Sequence, residues 1–84
     1  GQAEFFIVIN PGSGARQAHE KRAEIEAVLK GSGRRYRFMP VAPGQIVSAC
    51  QQAAQLAAQE HGVLVAVGGD GTLNAGAQAA LTYG

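Results

Sequence analysis

Two apolar runs dominate the chain, and each stops abruptly at a glycine-rich loop. The first is EFFIVI, Glu4 to Ile9, ending at NPGSG, and the second is VLVAV, Val63 to Val67, ending at GGDGT. Apart from Glu4, neither run alternates polar with apolar residues. A short continuous run of this kind reads as a strand of a parallel sheet covered on both faces.

The segments between the runs have helical spacing. From Gln17 to Lys30, Ala18, Ile25, Val28 and Leu29 fall on one face, opposite Glu20, Lys21, Glu24 and Lys30. Gly31 and Gly33 are placed to end that helix. Arg35 to Met39 alternates, which predicts a shorter and more exposed strand. Pro43 is placed to open a second helix, in which Ile46, Val47, Cys50, Ala53, Ala54 and Ala57 repeat at helical spacing up to Glu60, with Gly62 closing it. After GGDGT, with Thr72 at the helix start, Leu73, Ala77, Ala80 and Leu81 mark a third helix running towards Gly84.

The resulting order is β-α-β-α-β-α. Helices of this length between strands imply parallel pairing with right-handed crossovers. The most apolar strands belong at the centre, which places strand 1 between strands 2 and 3. The chain then leaves strand 1 in opposite directions, and a crevice opens between strands 1 and 3 at their C-terminal ends. NPGSG and GGDGT both border it. The expected fold is α/β, a three-layer α-β-α arrangement on a parallel sheet, Rossmann-like and comparable to half of a phosphofructokinase-like domain. The outer edge of strand 3 should have another neighbour, so residues 1–84 are expected to be the N-terminal part of a larger domain and to self-associate alone.

The composition fits one compact unit. With 84 residues, 46% of them hydrophobic and 12 of them glycine, the chain supports close helix-on-sheet packing. A chain of this size buries only about 60% of its unfolded surface, so its stability is marginal. A net charge of +1 argues against duplex DNA or another bulk electrostatic partner. Residues 1–42 carry all seven Lys and Arg, including the Arg34, Arg35, Arg37 run, which reads as a solvated strand edge. The single cysteine, Cys50, allows no internal disulfide and falls on an apolar helix face. His19 and His61 are isolated and near helix ends, so no transition-metal site is expected.

The loops carry the chemistry. Gly68, Gly69 and Gly71 permit positive φ and close approach of a ligand to the backbone. The following helix N-terminus adds positive potential, and together they describe a phosphate cradle. The plainer reading is a tight turn in which Asp70 or Thr72 caps the helix. Asp70 is the only Asp in the chain. Beside phosphate-binding amides it would repel the ligand unless it meets a Mg²⁺ ion on the phosphates or accepts a proton from an attacking hydroxyl.

NPGSG repeats the design. Ser13 offers a hydroxyl, Gly12 and Gly14 offer amides, and Arg16 offers a guanidinium fork, while Asn10 is suited to pinning the two loops together. Taken alone, this loop also reads as an ordinary polar turn. Two familiar loops are excluded: no Gly-Lys-Ser/Thr is present, and neither loop completes Gly-x-Gly-x-x-Gly.

At this point the pairing of NPGSG with VAVGGDGTLN resembles a family, the catalytic domain shared by diacylglycerol, sphingosine and ceramide kinases and bacterial lipid kinases. The likeness extends from Phe5 to Leu81. It implies ATP- and Mg²⁺-dependent phosphorylation of a lipid hydroxyl, by a cytoplasmic enzyme in transient contact with a membrane surface and with no nucleic-acid partner. It also implies a following β-rich domain that supplies the lipid pocket and the base, without which residues 1–84 are inactive. By the same resemblance Asn10, Pro11, Gly12, Ser13, Gly14 and Arg16 hold phosphates, Gly68, Gly69, Asp70, Gly71 and Thr72 line the nucleotide site, and Asp70 acts around Mg²⁺ or the reacting phosphate.

The chain departs from that family where Ala75 follows Asn74 in place of the usual Glu, at Met39 in place of a nucleotide-contacting Thr, and at Gln45-Ile46 in place of a His-Ala pair. Two other readings stay open. One is an NAD kinase, which has a similar glycine loop, and the other is a nucleotide-binding module without catalysis.

Overall fold

The computed structural model describes residues 3–83, with the backbone alone at Ser13 and Ala15; Gly1, Gln2 and Gly84 lie outside the described residues. Strand β1 (Phe5–Ile9) is followed by a single 3-10 turn at Pro11–Ser13, helix α1 (Ala15–Ser32), strand β2 (Tyr36–Phe38), helix α2 (Ile46–Glu60), strand β3 (Val63–Val67) and helix α3 (Asp70–Tyr83). The sheet is parallel in the order β2-β1-β3, as the connectivity requires. In register, Phe5, Ile7 and Ile9 stand beside Val63, Val65 and Val67.

Alternation along β1 divides the core into two layers. Phe6 and Val8 point to one face, where they pack against Cys50, Ala53 and Ala54 of α2 and Ala75 and Ala79 of α3. Full burial of each of these two side chains is worth about 1.5–3 kcal/mol relative to exposure. Ile7 points the other way, in register with Phe38. Helix α1 covers that face through buried Leu29, the Arg22 guanidinium 4.5 Å from the Phe38 ring centroid, and the Tyr36 hydroxyl, which donates to Glu26 Oε2 at 2.9 Å. The α-β-α layering is therefore complete, with one helix on one face and two on the other.

Several local expectations shift. Helix α1 runs through Gly31 and stops at Gly33, which adopts the left-handed conformation at φ 74°. Val28 does not join its buried face and is 71% exposed, because Leu29 takes the place over the sheet. Pro43 does not open α2. Gly44, at φ 76°, turns the chain first, and the helix starts at Ile46. Its Val47 is exposed, while Ala49 is buried in its stead.

Gly62 does not close α2 either. The left-handed residue is His61 at φ 55°. Gly62 is needed for a different reason: a Cβ there would lie 2.5 Å from a Phe6 ring carbon and 2.6 Å from the Glu4 carbonyl oxygen. The reversal therefore falls one residue earlier.

Helix α3 shows the largest departure. It begins at Asp70, not Thr72, and it buries Thr72, Ala75, Gly76 and Ala79. The expected inner residues face outwards instead, with Leu73 53% and Leu81 82% exposed. Backbone proximity explains the choice, since a Cβ on Gly76 would lie 2.9 Å from Ala66 Cβ. Only small residues fit at that crossing. Leu73, Ala77, Ala80 and Tyr83 line an open cavity of about 740 Å³ beside the outer edge of β3.

Candidate functional site

The two glycine loops meet at the C-terminal ends of β1 and β3. The Asn10 N–H donates to the Val67 carbonyl at 3.0 Å, which carries the β1–β3 ladder one residue beyond the strands. The chains then separate. Pro11 opens the 3-10 turn at a position where a missing N–H costs nothing. Asn10 Oδ1 accepts the Gly12 N–H at 3.0 Å and so closes the turn. Gly14 follows at φ 107° and ψ 150°, a conformation that side-chain-bearing residues rarely adopt, and its carbonyl accepts from Ala18 N at 3.2 Å at the start of α1.

Among the described residues no side chain caps α1, and its first turn holds no acidic residue. Its first amides therefore lack intrahelical acceptors. Helix α3 presents a second such terminus, where the first helical bond runs from Leu73 N to Gly69 O at 3.1 Å and leaves the amides of Asp70, Gly71 and Thr72 without one. Two helix N-termini thus border a single crevice, and the dipoles of both favour an anion there.

The glycines of the second loop have different causes. Gly68 is required by the protein itself, since a Cβ would meet Thr72 Oγ1 at 2.5 Å and Thr72 Cβ at 2.8 Å. At Gly69 and Gly71 a Cβ would meet nothing within 4 Å, and neither takes positive φ. The fold makes no demand for glycine at these two positions. What their lack of a side chain provides is open access to the backbone from outside.

The polar side chains divide in the same way. Asn10 Nδ2 donates to Thr72 Oγ1 at 3.0 Å, and Thr72 is buried at 1% exposure. Asp70 is exposed and, among the described residues, has neither a hydrogen bond nor an ion pair; it does not cap α3. The Arg16 side chain lies 92% exposed in the first turn of α1, with its Nε 3.4 Å from Glu20 Oε1. An exposed pair of this kind contributes at most about 1 kcal/mol, so Arg16 is free to exchange partners. The side chain of Ser13 lies outside what the structure describes.

A cleft of about 310 Å³ adjoins the Pro11 turn, walled by the first turns of α1 and by Phe38 to Val41. His19 and Arg22 line it, together with Met39. His19 is exposed, as expected of a surface residue, and Arg22 is held over the Phe38 ring. The larger cavity beside β3 borders neither glycine loop's open side and has the character of an uncovered sheet edge.

The residues present suit a polyphosphate carrying a divalent cation. The amides and Arg16 would supply anion donors, and Asp70 would supply one hard oxygen ligand. Among the described residues no three His, Cys, Asp or Glu side chains are grouped to hold a metal ion. An ion here would take its remaining ligands from phosphate and water. Among the described residues two groups are displaced from their ordinary pKa values, and both lie away from the crevice. Burial pushes the Cys50 thiol up, and loss of water together with the Glu26 carboxylate pushes the Tyr36 hydroxyl up.

Fold and crevice together define a Rossmann-like α/β domain with two glycine-rich loops at its switch point. A sequence model of the diacylglycerol kinase catalytic domain matches residues 4–83, and the chain belongs to that family. Its family is one of kinases. No curated protein and no solved structure matches the chain. No helix among the described residues is long and apolar enough to cross a membrane.

Proposed function

We propose that this chain is the ATP-binding part of a lipid kinase that transfers the γ-phosphate of ATP to a lipid hydroxyl of the diacylglycerol type. The observation that carries this reading is the pair Gly69 and Gly71, which the fold leaves unconstrained beside the N-terminus of α3. Backbone amides that a ligand can reach without crossing a side chain suit phosphate oxygens. The Gly12–Gly14 turn and Arg16 face the same anion from β1, and Thr72 supports the loop from beneath.

Asp70 is the carboxylate that would hold a Mg²⁺ ion, which would neutralise the charge of the phosphates. In this reading the protein positions and neutralises, and contributes little covalent chemistry. The lipid pocket and the base that receives the hydroxyl proton are supplied from outside these residues, by a following β-rich domain. Residues 1–84 alone bind nucleotide and do not turn it over. The enzyme acts at the cytoplasmic face of a membrane, in transient contact with it.

The test is phosphate transfer from labelled ATP to diacylglycerol in mixed micelles, catalysed by this chain joined to its acceptor domain. Label in the lipid, abolished by Asp70→Asn, supports the proposal. Label in NAD and none in lipid would assign the site to an NAD kinase, and ATP binding without transfer to either would assign it to a nucleotide-binding module.

A further inference from the structure

The Asn10 side chain is engaged at both ends within the protein. The Gly12 N–H can only donate, so it holds Oδ1 and turns Nδ2 towards Thr72. Thr72 belongs to the other loop, 62 residues away. Gly68 passes between them, close enough that a Cβ would lie 3.1 Å from Asn10 Cβ and 2.5 Å from Thr72 Oγ1. Among the described residues this is the one side-chain hydrogen bond joining the two loops.

We propose that Asn10 is a positioning residue and not a phosphate ligand. Acting through Thr72, it sets the Pro11–Gly14 turn against the Gly68–Gly71 loop, so that both sets of amides reach one polyphosphate. Its effect on affinity rests on the nucleotide reading above. The coupling between the loops does not, and it is present without ligand.

The first experiment is amide hydrogen exchange on the ligand-free chain carrying Thr72→Val or Thr72→Ser. Valine keeps the volume of Thr72 and loses the hydroxyl, whereas serine keeps the hydroxyl and loses a methyl. Exchange at Gly12, in the opposite loop, is expected to accelerate about fivefold in Thr72→Val, the factor for one net hydrogen bond, and to stay near the parent rate in Thr72→Ser. A purely packing role gives the reverse order, because serine leaves a cavity and valine does not. That order, or an unchanged Gly12 rate in Thr72→Val, overturns the proposal.

A second measurement reads the ligand half, as Mg²⁺-ATP affinity in Asn10→Ala, Thr72→Val and the double variant. Positioning through Thr72 predicts that the double variant binds as Asn10→Ala does. Direct ligation through the second Nδ2 hydrogen predicts losses that multiply, which overturns the proposal. Failure of the parent chain to bind ATP would count against the nucleotide reading alone, and the exchange order would still decide the coupling.

Discussion

Asn10 Nδ2 and Thr72 Oγ1 lie 3.0 Å apart across the switch point of the sheet, although 62 residues separate them in the chain. Their contact joins the ends of β1 and β3, and it explains why a buried threonine stands inside a glycine-rich turn. A valine of the same shape would fill the space and leave the Asn10 amide without its acceptor.

The glycines of the second loop should separate into two kinds. Gly68→Ala forces a Cβ into the buried Thr72 side chain and is expected to cost roughly 1–3 kcal/mol, with the loss read in denaturant or thermal unfolding. Gly69→Ala meets no protein atom within 4 Å, so stability should hold while ATP affinity falls. Equal unfolding midpoints for the two variants would remove the distinction.

Gly62→Ala addresses close approach far from the site. A Cβ there would sit 2.6 Å from the Glu4 carbonyl oxygen and against the Phe6 ring, and backbone cannot yield as a flexible side chain does. The expected loss is again roughly 1–3 kcal/mol, or a midpoint drop of about 4–8 °C per kcal/mol in a domain of this size. A midpoint within experimental error of the parent would refute this account of Gly62.

Cys50 is fully buried and its thiol is pushed up by that burial. The folded state favours the neutral thiol, so the stability linked to it is present below the ordinary thiol pKa and declines as pH rises past it. A small thiol reagent at pH 8 should label Cys50 far more slowly in the folded chain than in denaturant. Equal rates would place the thiol at the surface.

The outer edge of β3 presents unpaired backbone next to Leu73, Ala77 and Ala80, with no charged side chain on the strand. The chain of 84 residues is therefore expected to self-associate through this edge, with a sedimentation coefficient that rises with concentration. Leu73→Lys should restore the monomer, since a lysine beside an edge opposes pairing. A parent chain that sediments as a monomer at millimolar concentration would contradict the expectation.

The strands, their parallel pairing and their order were legible because continuous apolar runs and helix-length crossovers leave few alternatives. The convergence of NPGSG and GGDGT followed from that order alone. The burial of α3 was not legible, because the pattern weighs Leu73 and Leu81 as core residues. The close crossing at Gly76 and Ala66 admits only small side chains. For the same reason Gly62 looked like a helix stop, when its cause is the Phe6 ring from another element. At the site, the sequence marks Gly69 and Gly71 as positions where positive φ is permitted. In the structure they have none, because α3 starts early enough to absorb the turn, and their role reduces to leaving the backbone open.

The most direct test of the account is a calorimetric titration of the chain with ATP, with and without Mg²⁺, repeated on Asp70→Asn. The account predicts binding that strengthens with Mg²⁺, and loss of that Mg²⁺ dependence in the variant. Binding that ignores Mg²⁺ and is unchanged by Asp70→Asn would contradict it.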